Sequence, residues 1–299
     1  MNGALLLPVA MFLSLSWSLR PARAWVLRTN KRGFAAAAAT STTMGDSPLP
    51  KYALVQGASR GIGLEMTKQL LEKGYHVMAT CRRPDKSPGL SDLSAKYPMT
   101  LHMSRLDVTD SQSISETATR VESDFGGVLD ILVNSAGILQ DDAHKPERQL
   151  SAIDRDWMLN SFEVNSVGPL LVIQAMQEFL KRTKENKRDR GVIANISARV
   201  GSIEDNKMGG WYSYRMSKAA LNMATRCSAL ELKRHGVASI SLHPGTVATD
   251  FTKDYRKNVK PEKLFPVDRA ASQLLNIIEG IELKDTGKFF AWDKEVLPF

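Results

Sequence analysis

At 299 residues the chain can hold one large domain or two small ones, and 43% hydrophobic with 24% charged residues places it among ordinary globular proteins. The net charge of +8 means little: Arg20, Arg23, Arg28, Lys31 and Arg32 lie in an acid-free stretch over residues 1–45, which leaves +3 for the rest, too mild a balance for a nucleic-acid partner. Cys81 and Cys227 are too few for a disulfide framework or a cysteine metal site, so both read as reduced and no metal is expected.

Leu5 to Leu19 is a largely apolar run, short for a membrane span and suited to the hydrophobic region of a signal peptide. Ala22 and Ala24 supply the small-residue spacing of a cleavage site, and from Trp25 to Met44 the chain is basic and rich in Ala, Ser and Thr, which is transit-peptide composition. Residues 1–45 therefore read as a targeting presequence. It is either bipartite, resembling the presequences of algae with secondary plastids, or a single plastid or mitochondrial transit peptide. The mature domain is expected over 46–299, entered through Gly45-Asp46-Ser47-Pro48. Beyond residue 45 no stretch has the ~18 uninterrupted apolar residues a spanning helix needs, so no membrane partner is expected for this domain.

From Tyr52 onward short β-branched or apolar runs alternate with longer helical patterns. Strands are predicted at 53–56, 76–80, 100–103, 129–133, 192–196, 238–242 and 287–291, and helices at about 62–73, 110–125, 151–183, 211–234 and 267–280. This alternation predicts an α/β, Rossmann-type, doubly wound parallel sheet of seven strands, with helices on both faces, in a single domain. Lys181 to Arg190 reads as a solvated helix end and loop.

Gln56-Gly57-Ala58-Ser59-Arg60-Gly61-Ile62-Gly63 falls between the first strand and the first helix. There, glycines allow a tight turn and close approach of backbone to a pyrophosphate, and the helix N-terminus attracts its charge. The end of the second strand selects the cofactor. An acid there would bind the adenosine ribose hydroxyls, but the chain reads Thr80-Cys81-Arg82-Arg83, with no acid before Asp85. Guanidinium groups at Arg82 and Arg83, with Arg60 in reach, suit a 2′-phosphate and favour NADP(H); the other reading is that the arginines only solvate a loop.

Gly57-x-x-x-Gly61-x-Gly63, Asn134-Ser-Ala-Gly137, Asn165, Tyr214-x-x-x-Lys218 and Pro244-Gly245 occur in the order and spacing of the short-chain dehydrogenase/reductase family, which the chain resembles over about 50–299. The run from Val200 to Arg215 is similar to the C-factor-like and Sniffer-like carbonyl reductase branch. The resemblance implies cofactor contacts from Gly57, Ser59, Arg60, Gly61, Ile62, Gly63, Arg82, Arg83, Asp107, Val108, Asn134, Ala136, Gly137, Tyr214, Lys218, Pro244, Gly245, Thr246, Val247 and Thr249. It also implies catalytic roles for Tyr214, Lys218 and Asn165, and a homodimer or homotetramer. Two positions depart from the pattern. Gln56 replaces the usual Thr, and Ala198 occupies the catalytic Ser slot, leaving Ser197 to serve if the strand register shifts, with Ser202 as the fallback.

A carbonyl receiving hydride develops negative charge on oxygen, which needs a proton donor and hydrogen-bond donors. Tyr214 is the expected donor, with Lys218 four residues on expected to lower its pKa and hold the cofactor ribose. Asn165 would hold a water linking Lys218 to solvent. Lys253, Arg256, Lys257, Lys260 and Lys263 mark a lid that either receives an anionic substrate or is merely solvated, and Trp211, Phe251 and Trp292 either line an apolar pocket or belong to the core. The expected activity is reduction of an aldehyde, ketone or quinone with NADPH; the rival is an NADP(H)-binding regulator or scaffold whose catalysis has weakened, which Ala198 keeps open.

Overall fold

The computed structural model describes residues 49–183 and 188–299; the expected presequence lies outside them. Among the described residues ten strands and seven α-helices follow in the order β1 (Lys51–Gln56), α1 (Gly61–Glu72), β2 (Tyr75–Cys81), α2 (Pro88–Lys96), β3 (Leu101–Arg105), α3 (Ser111–Phe125), β4 (Ile131–Asn134), α4 (Arg155–Phe162), α5 (Gly168–Leu180), β5 (Gly191–Ile196), α6 (Tyr212–Leu232), β6 (Val237–His243), β7 (Thr246–Val247), β8 (Leu264–Phe265), α7 (Val267–Gly280), β9 (Phe289–Ala291) and β10 (Val296–Leu297). The main sheet has the order β10-β9-β6-β5-β4-β1-β2-β3, and β7 with β8 forms a separate two-stranded piece. Seven strands are parallel, each within two residues of its expected bounds. The eighth, β10, joins β9 antiparallel and corrects the expected seven. At two residues it is too short to show a period.

Side-chain alternation divides the core between two faces. Ala53, Val55, Val77, Ala79, Ile240 and Leu242 pack against α1, α2 and α7 on one face, while Leu54, Met78, Leu132 and Ile193 pack against α3 and α5 on the other. Beneath α6 the sheet is polar. Asn134 donates to Asn195 (2.8 Å), Asn195 to Thr225 (2.9 Å) and Ser241 to Thr225 (3.0 Å), a buried chain in which the Asn134 Oδ1 alone is left without a partner.

Two helix expectations are corrected. The single helix foreseen over 151–183 is α4, then a π-turn at Glu163–Val167, then α5. Pro169 lacks the N–H that would bond to the Asn165 carbonyl four residues earlier, so a regular ladder cannot pass through this point. The unforeseen α2 is short, and its Gly and Ser content weakens the helical signal; it is held by Leu90 and Leu93, one turn apart and both buried. No helix of the described residues is long and apolar enough to cross a membrane.

Candidate active site

The motif residues gather at the carboxyl ends of β1, β2, β4, β5 and β6, where an open parallel sheet binds its ligands. Gly57 has φ +86°, and a methyl group there would stand 2.5 Å from the backbone N of Ala136. Only Gly allows this approach of β1 to the loop after β4. Gln56 does tether that junction, since its Oε1 accepts from Ala136 N at 3.0 Å. Arg82 and Arg83 are exposed just past β2. Arg60, also exposed, stands 3.7 Å from Asp250, and Thr249 lies against Gly61, so the glycine loop faces the segment after β7. Asp107 binds Thr109 through its carboxylate, and Val108 packs beside Gly168.

Tyr214 and Lys218 share the buried face of α6, with the Lys218 ammonium 5.8 Å from the Tyr214 ring centre. Lys218 Nζ donates to the carbonyl of Ile196 at 2.8 Å. A methyl group on Gly137 would stand 3.0 Å from Asn165 Oδ1 and 3.5 Å from Lys218 Nζ, so these three positions converge. Asn165, inside the π-turn, accepts from Ile138 N (2.7 Å) and donates to Ile138 O (2.8 Å) and Ser217 Oγ (3.0 Å). It thereby locks the loop after β4 to α6. Gly201 gives α6 room on its other side, since any side chain there would press on Lys218 Cβ at 2.8 Å.

Burial sets the proton affinities. It pushes the Tyr214 phenol well above its ordinary value, with Tyr255 adding to the rise, and it lowers Lys218 from 10.5 to about 7. Lys218 was expected to lower the phenol, whereas here burial and Tyr255 set its direction, which is upward. The enclosure is aromatic: Phe251 lies 5.8 Å from Tyr214, Trp211 6.4 Å from Tyr214 and 5.4 Å from Tyr255. Trp292 instead packs on Phe265 at 4.6 Å. Lys253, Lys257, Lys260 and Lys263 face solvent, as in the solvated-lid reading. The lid is tied down by Asp254, which accepts from Lys145 (2.7 Å) and Gln140 (2.8 Å).

The register of β5 does not shift. It pairs regularly with β6 through Ile196, and Ser197 N continues the ladder to Leu242 O. Ser197 therefore points at α6, where its hydroxyl donates to Asn222 at 2.7 Å. Ser202 is buried too and accepts from Asp205 N. The Gln140–Asp254 tie, the Tyr255 ring and a buried glutamate, Glu147, escaped the sequence reading because each acts on residues far away in the chain and belongs to no local motif.

A family model described as short chain dehydrogenase matches residues 51–260. The chain is a short-chain dehydrogenase/reductase. Its relatives include the 1-hydroxy-2-glutathionyl-2-methyl-3-butene dehydrogenase of Rhodococcus sp. (strain AD45), 33% identical over 79% of this chain and 94% of the relative. Among solved structures, NADPH-bound carbonyl reductase from chicken fatty liver superposes with a TM-score of 0.74 at 33% identity, covering 84% of this short-chain dehydrogenase/reductase and 99% of that chain. Carbonyl reductase Sniffer of D. melanogaster also reaches 0.74, at 27% identity over 84% of this chain and all of its own. The expected Sniffer-like branch is therefore supported by fold and sequence together.

Proposed function

We propose that this oxidoreductase reduces an apolar aldehyde, ketone or quinone to the alcohol with NADPH, using Tyr214 as general acid. The observation that carries the reading is the convergence of Tyr214, Lys218, Asn165 and Gly137 beside the glycine loop. The cofactor fits the residues present. Gly57 and Gly63 let the turn close on itself and on the loop after β4, α1 presents its N-terminus beyond that turn, and Arg82 and Arg83 suit a 2′-phosphate. NADPH, when bound, supplies the hydride. Tyr214 holds a proton for the developing alkoxide, and its raised pKa keeps it protonated at neutral pH, the state an acid must have. Lys218 anchors to β5 through Ile196, and Asn165 fixes the loop that carries Gly137. Trp211, Phe251 and Tyr255 exclude water and present ring faces and edges, which favours a carbonyl carried on an apolar or aromatic body.

With Ala198 in the slot of the family hydroxyl, Tyr214 works without that second donor, and loss of one such donor typically lowers kcat about 10²–10³-fold. The regulator reading rests on the same position. Exposed Leu170, Met216, Met223 and Leu230 on α5 and α6 support the expected self-association through these helices. The test is NADPH oxidation by the purified protein against aldehydes, diketones and quinones. Turnover that Tyr214→Phe removes, with NADPH binding retained, is the expected result; NADPH binding without turnover on any carbonyl would overturn it in favour of the regulator.

A further inference from the structure

α6 begins on an unusual junction. Gly209, Gly210 and Trp211 are all left-handed, with φ of +64°, +66° and +53°. For a Trp this conformation is strained, and it persists only where the surroundings impose it. Trp211 is also the residue before the helix and caps it with no side-chain hydrogen bond.

The imposing group is Glu147, 66 residues before Ser213. Its main-chain oxygen accepts from Trp211 N at 2.5 Å. Both carboxylate oxygens lie 3.3 Å from Ser213 N, and the Ser213 hydroxyl donates to Oε1. Glu147 is 4% exposed and Ser213 1%. A buried carboxylate is costly unless donors or positive charge meet it. Here a hydroxyl, an N–H and the positive end of a 21-residue helix do so. From the far side Arg215 donates to the carbonyls of Gly209 (3.2 Å) and Gly210 (2.9 Å). The clamped residues flank the chemistry, since Tyr214 follows Ser213 directly and the Trp211 ring stands edge-on to Tyr214 and Tyr255.

We propose that Glu147 is a positioning residue whose buried carboxylate caps α6 at Ser213 and so sets the Tyr214 hydroxyl and the Trp211 wall against the reacting carbonyl. This rests on the reading of Tyr214 as proton donor. Glu147→Gln keeps the size of the side chain but removes the charge that meets the helix N-terminus and leaves a single carbonyl oxygen as acceptor for Ser213. With that hold weakened the first turn of α6 loses its fixed position, and a misplacement of ~1 Å can cost about 100-fold in rate. The glycine loop and Arg82 lie on other elements, and Lys218, a turn further along α6, keeps its own bond to Ile196, so the effect on cofactor binding is small.

The experiment uses the full chain with Glu147→Gln, Ser213→Ala and both together. It reads kcat and KM on a carbonyl the parent reduces, NADPH Kd, and the emission of Trp211 isolated by subtracting a Trp211→Phe variant. The expected result for Glu147→Gln is a kcat about 10- to 100-fold lower, an NADPH Kd within about twofold of the parent and a shifted Trp211 emission, with the double variant no worse than Glu147→Gln alone. Unchanged kcat, equal losses in kcat and NADPH affinity, or additive losses overturn the proposal. If Glu147→Gln does not fold, Ser213→Ala decides by the same signs. A parent inactive on every carbonyl defeats the reductase reading instead, and the clamp is then decided by whether Trp211 emission moves.

Discussion

Lys218 offers the sharpest check on the electrostatics of the site. Its ammonium is buried and bonded to Ile196 O, and burial lowers its pKa from 10.5 to about 7. Below about pH 7 both folded and unfolded chains hold the proton, and the folded state bears the whole cost of the buried charge. Between about pH 7 and 10.5 only the unfolded chain holds it, so this residue's contribution makes stability rise with pH in that window. At 1.36 kcal/mol per pKa unit the full cost is on the order of 5 kcal/mol, of which about 3 kcal/mol is relieved between pH ~6.5 and ~9.5. Lys218→Met keeps an unbranched side chain one atom shorter and removes the charge. In urea unfolding of both proteins across that range, the stability of the variant minus that of the parent should fall by about 3 kcal/mol. Loss of the bond to Ile196 displaces the difference by a pH-independent ~1–3 kcal/mol, so the slope decides. A difference flat to within about 1 kcal/mol would refute the claim that desolvation governs this lysine.

Arg82→Ala and Arg83→Ala should each raise the KM for NADPH about 10- to 100-fold and leave that for NADH unchanged, because a charge-assisted hydrogen bond contributes roughly 1.5–3 kcal/mol. An unaltered ratio of the two in steady-state kinetics would assign both arginines to solvent. Gly57→Ala places a methyl 2.5 Å from Ala136 N at φ +86° and should cost at least about 2 kcal/mol in denaturant melts, along with NADPH affinity; a variant as stable as the parent would contradict the close approach. Ala198→Ser restores the second donor and should raise kcat by about tenfold or more, whereas Ser197→Ala, which only strips the Asn222 Oδ1 of its donor, should cost stability and leave kcat within about threefold. A large loss of turnover in Ser197→Ala would show instead that the Ser197 hydroxyl leaves Asn222 during the reaction.

The sequence by itself determined the layered fold and marked the candidate site residues, because both depend on local signals. Hydrophobic alternation in runs such as Ala53-Leu-Val-Gln56 sets strand and face, and Gly57 to Gly63 or Tyr214 with Lys218 fall at fixed spacings along single elements. The signal failed where a local pattern was weak or broken by one residue. Pro169 splits a helix whose apolar periodicity continues across the break, α2 is held by two leucines, and β10 has only two residues. Tertiary structure alone decided the environment of each group. It took β5 and β6 in regular register to direct Ser197 at Asn222, the closure of Phe251 and Tyr255 to push the Tyr214 phenol up, and packing across 66 residues to bring Glu147 onto Ser213. Desolvation and long-range hydrogen bonds depend on what surrounds a residue in space, and neither periodicity nor motif spacing encodes that.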